Sequence, residues 1–444
     1  MSTIPPSARK LALAWLIVCL TALIISGLFV ILAIIAHIPK FTNFFTIDSF
    51  SRSALIVYFD QSVLIGFLSF CGVLWSLGES EITFTHRLAL VFTILGCVAI
   101  SITPFNGFSE PLFNNYVSLL RHPLFFGGIF LFGFGILFQV LLTLRQAATR
   151  STWTRPDRLA ALTTAFATLT AFLALAWTWI YLVGKDGQDY FEVLFWGCGH
   201  ILQFVYTQLM VMAWLGLAAG LGLTLRISIR VLQGLIVLGV LPVLLVPVHY
   251  VRYAVDSQEI HHAFVMLMRH GGGLAAIPIG IVIFYGLLQR RGEISGEARP
   301  LFSALSSSLL LFSIGGVLGW MISAIHSLVP THQHAFIGGT TLALMGLTYH
   351  LLPILEFNPP SSRLAVMQPW IYAIGQLLQI GVLAISGVVG IQYHAFNIVS
   401  EANTLGSKVA MGIMAFGGFI AAIGVILFVM MVVNALNHPR TPRW

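Results

Sequence analysis

Charged side chains are scarce in this sequence. Aspartate, glutamate, lysine and arginine make up 8% of the 444 residues, whereas a soluble domain carries roughly 25%. A water-soluble surface cannot be built from so few charges, and the apolar fraction of 58% excludes a disordered or collagen-like chain. A polytopic membrane protein remains.

Cysteine is also rare, and its four positions exclude two kinds of structure. Cys19, Cys71, Cys97 and Cys198 all lie inside apolar runs, and no two of them have CxxC spacing. Neither a disulfide framework nor a covalently attached c-type haem, which needs a CxxCH motif, is indicated.

Long apolar runs are abundant instead. A membrane-spanning helix needs about 20 apolar residues. The sequence contains twelve such runs, near residues 11–36, 53–77, 86–105, 122–146, 159–184, 191–223, 229–251, 266–289, 301–327, 333–355, 367–392 and 408–434. The runs are continuous rather than alternating, which excludes membrane-spanning strands. We therefore predict an all-α polytopic membrane protein of about twelve transmembrane helices, in which residues 1–444 form a single integral membrane domain.

The basic residues predict an orientation for these helices. With the N-terminus inside, fifteen of the Lys and Arg residues fall in inner segments and seven in outer segments. Such an excess on the cytoplasmic side is the usual topology signal. It accounts for the net charge of +7, so no nucleic-acid partner is expected. We predict a multi-pass protein in the lipid bilayer of a bacterial or archaeal inner membrane, with both termini in the cytoplasm.

Histidines concentrate at the predicted outer ends, where eleven of the fourteen lie. Ionisable groups in or beside hydrocarbon are costly and usually functional. Three groups stand out: His200 in the sixth run, the adjacent pair His261 and His262 after the seventh, and His332 with His334 at the start of the tenth. Isolated histidines at helix ends are usually interfacial or hydrogen-bonded, and we interpret five others in this way: His37, His122, His249, His326 and His394.

The spacing within these groups limits what each can bind. Neighbouring residues on a helix point about 100° apart, so His261 and His262 would hold one ion best at a frayed helix end. His332 and His334 point about 200° apart, so they cannot share one ion but can serve two centres on opposite sides of one helix. Imidazole suits copper, iron and zinc, and histidine is a common axial ligand of haem.

The ordered set of motifs resembles that of one family. The motif His261-His262-Ala263-Phe264 precedes the motif Ala276-Ile277-Pro278-Ile279-Gly280. His332-Gln333-His334 leads through Gly338-Gly339 to Tyr349-His350-Leu351-Leu352-Pro353. Over nearly its whole length, the chain resembles the catalytic subunit I of the haem-copper oxygen reductase and nitric oxide reductase superfamily.

The resemblance implies roles for the histidines. His200, His261 and His262 would hold a non-haem copper, alternatively a non-haem iron. His332 would be the axial ligand of a high-spin haem of b-type or a related type, and His334 that of a second, low-spin haem. A small gaseous substrate would bind between the first haem and the copper. Electrons would come from a second subunit of cytochrome c or cupredoxin type.

Two positions depart from the family pattern. The second ligand of the low-spin haem comes from the second segment, where Tyr58 replaces the family's histidine; tyrosine can ligate haem iron. A five-coordinate or absent second haem is the alternative. The arginines that hold the haem propionates after segment eleven are also absent, and Arg252 and Arg269 are outer-side candidates for that role.

Residue 204 bears on the substrate. Oxygen reductases of the main types have a tyrosine four residues after the segment-six histidine, where this chain has Phe204, which has no ionisable proton. Joining two NO molecules into N2O needs two electrons and two protons but no tyrosyl donor. The resemblance therefore implies a copper-containing nitric oxide reductase of a respiratory or detoxifying membrane complex. The alternatives are a terminal oxygen reductase with unusual proton delivery and a non-catalytic or transporter-like descendant that has lost a haem.

Overall fold

The computed structural model describes residues 4–35, 47–107, 109–149, 155–184, 188–290, 292–322, 328–388 and 405–439 of the chain. Within these ranges, twelve helical segments are long and apolar enough to cross a membrane. They are Pro6–Ala33, Phe50–Gly78, Phe84–Phe105, Pro123–Ala148, Pro156–Tyr181, Asp189–Gly220, Ile229–Arg252, Gln258–Arg290, Gly296–Met321, Val329–Ile354, Arg363–Gly387 and Leu405–Leu436. The predicted class, an all-α multi-pass membrane protein, is confirmed.

Backbone contacts divide the chain into two compact units. Unit 1 comprises Met1–Leu209 and Ile229–Ala276, and unit 2 comprises Met210–Ser228 and Ile277–Trp444. The expectation of a single integral membrane domain stays a prediction.

Unit 1 contains the helices of the first half of the chain and the short helices that follow them. They are α1 (Pro6–Ile35), α2 (Ile47–Phe59), α3 (Gly66–Gly78), α4 (Phe84–Ile102), α5 (Pro123–Thr149), α6 (Pro156–Tyr181), α7 (Gln188–Gly220), whose last turns belong to unit 2, α8 (Ile229–Leu238), α9 (Val246–Arg252) and α10 (Gln258–Gly271). Two 3-10 turns, Thr103–Phe105 and Leu241–Leu245, follow α4 and α8.

Unit 2 is built around one central helix. Its helices are α11 (Ala276–Arg290), α12 (Arg299–Met321), α13 (Val329–Ile354), α14 (Arg363–Val388) and α15 (Leu405–Leu436), with a 3-10 turn at Gly296–Ala298. α13 packs against both α12 and α14, and α14 packs against α15. The residues that open α13 therefore have a neighbouring helix on either side.

Several hydroxyl side chains inside the spans bond to their own helix. Thr168 donates to the carbonyl of Thr164 at 2.7 Å, and Ser307 donates to that of Ser303 at 2.8 Å. A hydroxyl can satisfy itself in this way where no water is present, so these residues do not interrupt the helices.

The second span contains a π-helix that the sequence analysis did not predict. It covers Asp60–Ile65, between α2 and α3, and begins two residues after the candidate haem ligand Tyr58. The Ser62 hydroxyl donates to the Tyr58 carbonyl at 2.8 Å, which satisfies an oxygen next to the widened turn. Asp60 is 2% exposed, and its Oδ2 atom has no hydrogen-bond partner among the described residues. Widened turns of this kind are frequent at functional sites.

A short β-hairpin joins α4 to α5 and was also not predicted. Strand β1 (Glu110–Leu112) pairs antiparallel with β2 (Leu119–Arg121), with Glu110 opposite Arg121. The connection between the strands carries Asn115 and Tyr116. These two residues bring the hairpin into contact with α7.

His261 and His262 lie after the seventh span, as predicted, but inside a helix. They are the fourth and fifth residues of α10, which begins at Gln258, and the eighth span therefore starts earlier than residue 266. Ser257 caps this helix, because its hydroxyl accepts from the backbone N–H of Ile260 at 3.2 Å.

Candidate functional site

His200 is held inside α7 with a defined orientation. Its side chain is 3% exposed, and its Nδ1 lies 2.8 Å from the carbonyl oxygen of Trp196, one turn earlier. A carbonyl oxygen only accepts hydrogen bonds, so Nδ1 carries the proton and Nε2 carries the lone pair. Metal-binding histidines show this arrangement, in which one ring nitrogen is anchored and the other faces the metal.

The phenol of Tyr116 is hydrogen-bonded to that second nitrogen, Nε2 of His200. Its hydroxyl lies 2.9 Å from Nε2 of His200, and the two ring centroids are 4.7 Å apart. Burial and, secondarily, the negative charge of Glu192 raise the pKa of the Tyr116 phenol above its usual value. The phenol is therefore protonated at neutral pH and donates the hydrogen bond to the imidazole.

The hairpin is fixed on α7 by two further features. The Glu192 carboxylate accepts from the backbone N–H of Asn115 at 3.2 Å and also from the side-chain amide of Asn115. Gly199 leaves room for the tyrosine ring, because a Cβ at this position would overlap Tyr116. The ring therefore lies against the bare backbone of α7.

His261 has the same internal anchor as His200. Its Nδ1 lies 2.8 Å from the carbonyl oxygen of Ser257, so its lone pair is also on Nε2. The Trp196 ring contacts both histidines, with centroid distances of 4.7 Å to each and interplanar angles of 51° and 52°. The structure thus brings two of the three predicted copper ligands together around one indole.

The third predicted copper ligand is placed differently. His262 is exposed, although it follows His261 directly. Among the described residues, no three His, Cys, Asp or Glu side chains form a group that could hold a metal ion. The donor pair His200 and His261 therefore suits copper in its chemistry, but the structure does not show the complete three-histidine set.

His332 and His334 contact opposite neighbours of α13. The Nδ1 atom of His332 lies 2.7 Å from the carbonyl oxygen of Gly315 on α12. Gly319 gives the ring its space, since a Cβ there would lie 2.8 Å from the imidazole. The Nε2 atom of His334 lies 2.9 Å from the amide oxygen of Gln379 on α14. The predicted divergence of the two side chains is confirmed.

The two histidines of α13 differ in which nitrogen is free. The anchor on Gly315 leaves Nε2 of His332 with the lone pair, which suits an axial haem ligand. In His334, by contrast, Nε2 donates to Gln379, so the lone pair is on Nδ1. The Gln379 amide nitrogen donates to the Met414 carbonyl at 3.5 Å, which supports this orientation of the amide. Ligation through Nε2 of His334 would require that hydrogen bond to Gln379 to break.

The remaining predicted site residues have local contacts. The Tyr58 ring is half-buried and packs on Phe59 at 4.9 Å. Arg252 and Arg269 are both exposed, and the Arg252 guanidinium lies 5.5 Å above the Tyr253 ring.

Two of the isolated histidines have ordinary contacts. His122 accepts from the backbone N–H of Leu124 at the start of α5, at 3.2 Å. The His249 ring lies 5.9 Å from that of Phe264. His37, His326 and His394 lie outside the described residues.

Phe204, which bears on the substrate, and its neighbour Tyr206 are buried. Phe204 is 0% exposed, and Tyr206 packs edge-on against Phe67 at 5.1 Å. The phenol that does reach His200 is that of Tyr116, which the sequence analysis missed. The available signal was the pair of glycines around Cys198, since small residues on one stretch of helix indicate close approach by another segment.

Comparison with known proteins shows the fold but no named family. No profile of a known protein family matches the sequence. In an alignment of 501 positions, the chain is 25% identical to an uncharacterized protein from Rickettsia prowazekii (strain Madrid E), and the alignment covers 95% of each chain. It is 28% identical over 348 residues to an uncharacterized protein from Aquifex aeolicus (strain VF5), covering 77% of this chain and 85% of the other.

One similar solved structure is that of a heme-copper terminal oxidase dimer determined by cryo-electron microscopy. The match has a TM-score of 0.71 and 16% sequence identity, and covers 98% of this chain and 85% of the other. The chain has a haem-copper oxidase subunit I-like fold.

The close contact at Gly199 predicts a stability difference between two glycine variants. Gly199→Ala is expected to lower the free energy of unfolding by about 1–3 kcal/mol, because the added methyl group overlaps Tyr116. Gly127→Ala is the matched control, since its Cβ would meet no atom within 4 Å. Thermal unfolding in detergent measures both, and equal midpoints would contradict the tight contact.

Proposed function

We propose that the chain is a haem- and copper-binding oxidoreductase of a respiratory or detoxifying membrane complex that reduces nitric oxide to nitrous oxide. His200 and His261, with His262, would bind copper, alternatively non-haem iron. His332 would bind a high-spin haem. Copper supplies a Lewis-acidic redox centre when bound, and haem iron supplies a second redox centre.

The observation that carries this proposal is the common anchoring of three imidazoles. His200, His261 and His332 each direct Nδ1 at a backbone carbonyl, at 2.7–2.8 Å, and so keep the lone pair on Nε2. The exposed His270 makes the same contact, and what distinguishes His200 and His261 is that both also pack on the Trp196 ring. The haem-copper oxidase-like fold supports the same assignment.

The second haem has weaker support than the first. Gln379 engages Nε2 of His334, and Tyr58 stands where the family's other ligand is expected. We therefore propose one high-spin haem per chain. A measured content of two haems per chain would establish a low-spin haem on His334 as well.

The residues near His200 support two substrates to different degrees. Phe204 offers no ionisable proton, and this favours nitric oxide, whose reduction needs no tyrosyl donor. The Tyr116 phenol at 2.9 Å from His200 favours the second candidate, an oxygen reductase, because it places an ionisable phenol beside the copper ligand. Either activity needs electrons from a partner, and we propose a subunit of cytochrome c or cupredoxin type.

Metal analysis of single-histidine variants tests the cofactor assignment. The purified chain is expected to contain haem and copper. His261→Ala is expected to lose the copper and keep the haem, whereas His332→Ala is expected to lose the haem. The optical spectrum and elemental analysis measure both cofactors.

A matched control lies on the same helix as His261. His270 is exposed and also directs Nδ1 at a backbone carbonyl, that of Met266 at 3.0 Å. His270→Ala should keep both cofactors. A haem-free spectrum of the wild-type chain would contradict the proposal and support a non-catalytic or transporter-like protein.

Turnover with each gas distinguishes the two substrates. With a reduced artificial electron donor, the loaded protein is expected to form N2O from NO and to consume O2 slowly or not at all. Tyr116→Phe should leave NO reduction intact. Fast O2 consumption that disappears in Tyr116→Phe would instead establish the oxygen reductase.

A further inference from the structure

The His200 imidazole has one available lone pair, and Tyr116 uses it. Nδ1 donates to the Trp196 carbonyl, so only Nε2 can accept a hydrogen bond or coordinate a metal. The Tyr116 hydroxyl lies 2.9 Å from that atom. One lone pair cannot do both at once.

The geometry leads us to propose that Tyr116 and a copper ion compete for Nε2 of His200, so that the hairpin Glu110–Arg121 is a latch on the metal site. This inference rests on the copper site of the proposed function. It adds a residue that controls loading of that site and is not itself a ligand.

Contacts with α7 hold the Tyr116 side chain in its position. Its ring meets Trp196 edge-on, at 5.9 Å and 81°, and lies against Gly199, which has no side chain to exclude it. The Glu192 carboxylate holds the adjacent Asn115 through both its backbone and its side-chain amide. Tyr116 can leave His200 only if this part of the hairpin moves or its ring turns away.

The neighbouring histidine, His261, differs from His200 at its Nε2 atom. Nδ1 of His261 is anchored on the Ser257 carbonyl, but its Nε2 has no hydrogen-bond partner among the described residues. Copper can therefore bind His261 without displacing anything. Recruitment of His200 to the same ion is the step that requires the phenol to leave.

Copper affinity of a phenol-free variant tests the competition. The full-length protein is purified in detergent, stripped of copper and titrated with Cu(I) against a chelator of known affinity. Tyr116→Phe keeps the ring and removes the competing hydroxyl. We expect about fivefold tighter binding, the equivalent of a net hydrogen bond of about 1 kcal/mol. A merely structural role for Tyr116 would weaken binding instead.

Two further variants complete the experiment. Tyr190→Phe, in which a tyrosine of α7 that packs on Phe191 at 5.1 Å is changed, is the control and should bind copper as the wild type does. Glu192→Gln leaves the phenol in place but removes the charge that holds Asn115, and it should load copper faster than the wild type. Equal loading rates would overturn the hairpin's part in the latch.

The outcomes separate this inference from the proposed function. Equal, measurable affinities in the wild type and Tyr116→Phe would overturn the latch and leave the copper site standing. Weaker binding in Tyr116→Phe would also overturn it, because the phenol would then support the copper site instead of competing with the metal. Absence of copper binding in both proteins would overturn the latch and the proposed function together.

Discussion

The candidate site depends on one repeated hydrogen bond, from Nδ1 of a histidine to a backbone carbonyl. In His200 and His261 the acceptor is the carbonyl four residues earlier on the chain, and in His332 it belongs to the neighbouring helix. Each bond fixes both the ring orientation and the nitrogen that carries the lone pair. Without it, an imidazole in an apolar interior would have two equivalent tautomers and no preferred direction.

The membrane makes such internal bonds necessary and therefore informative. A polar side chain in a span has no water to bond, so its partner is found within the protein. Hydroxyls such as those of Thr168 and Ser307 satisfy this need on their own helix and reveal little about function. Asp60 does not, because its Oδ2 atom has no partner among the described residues and lies in a π-helix. A buried carboxyl group without such a partner is costly, and ionisable groups at this depth are often functional.

Helix periodicity predicted the features within single segments of the chain but not the contacts between distant segments. The twelve spans follow from apolar runs, and the divergence of His332 and His334 follows from the angle between residues two apart. The start of α10 at Gln258 could also have been predicted, since Ser257 has the chemistry of a helix cap, but the apolar run begins later than the helix. Tyr116 was not predictable in this way, because its contact with His200 spans 84 residues and depends on a short hairpin.

Tyr116 alters the argument about substrate that the sequence alone supports. Phenylalanine at position 204 favours nitric oxide only if no phenol is near the proposed copper ligands. The structure supplies one from outside the spans, and its proton already points at Nε2 of His200. If copper displaces the phenol, the hydroxyl stays close to the ion that displaced it, because the Asn115–Glu192 contacts hold the adjacent residue. Tyr116 can therefore compete with copper in the metal-free protein and donate a proton in the copper-loaded protein. Copper affinity measures the first role, and turnover measures the second.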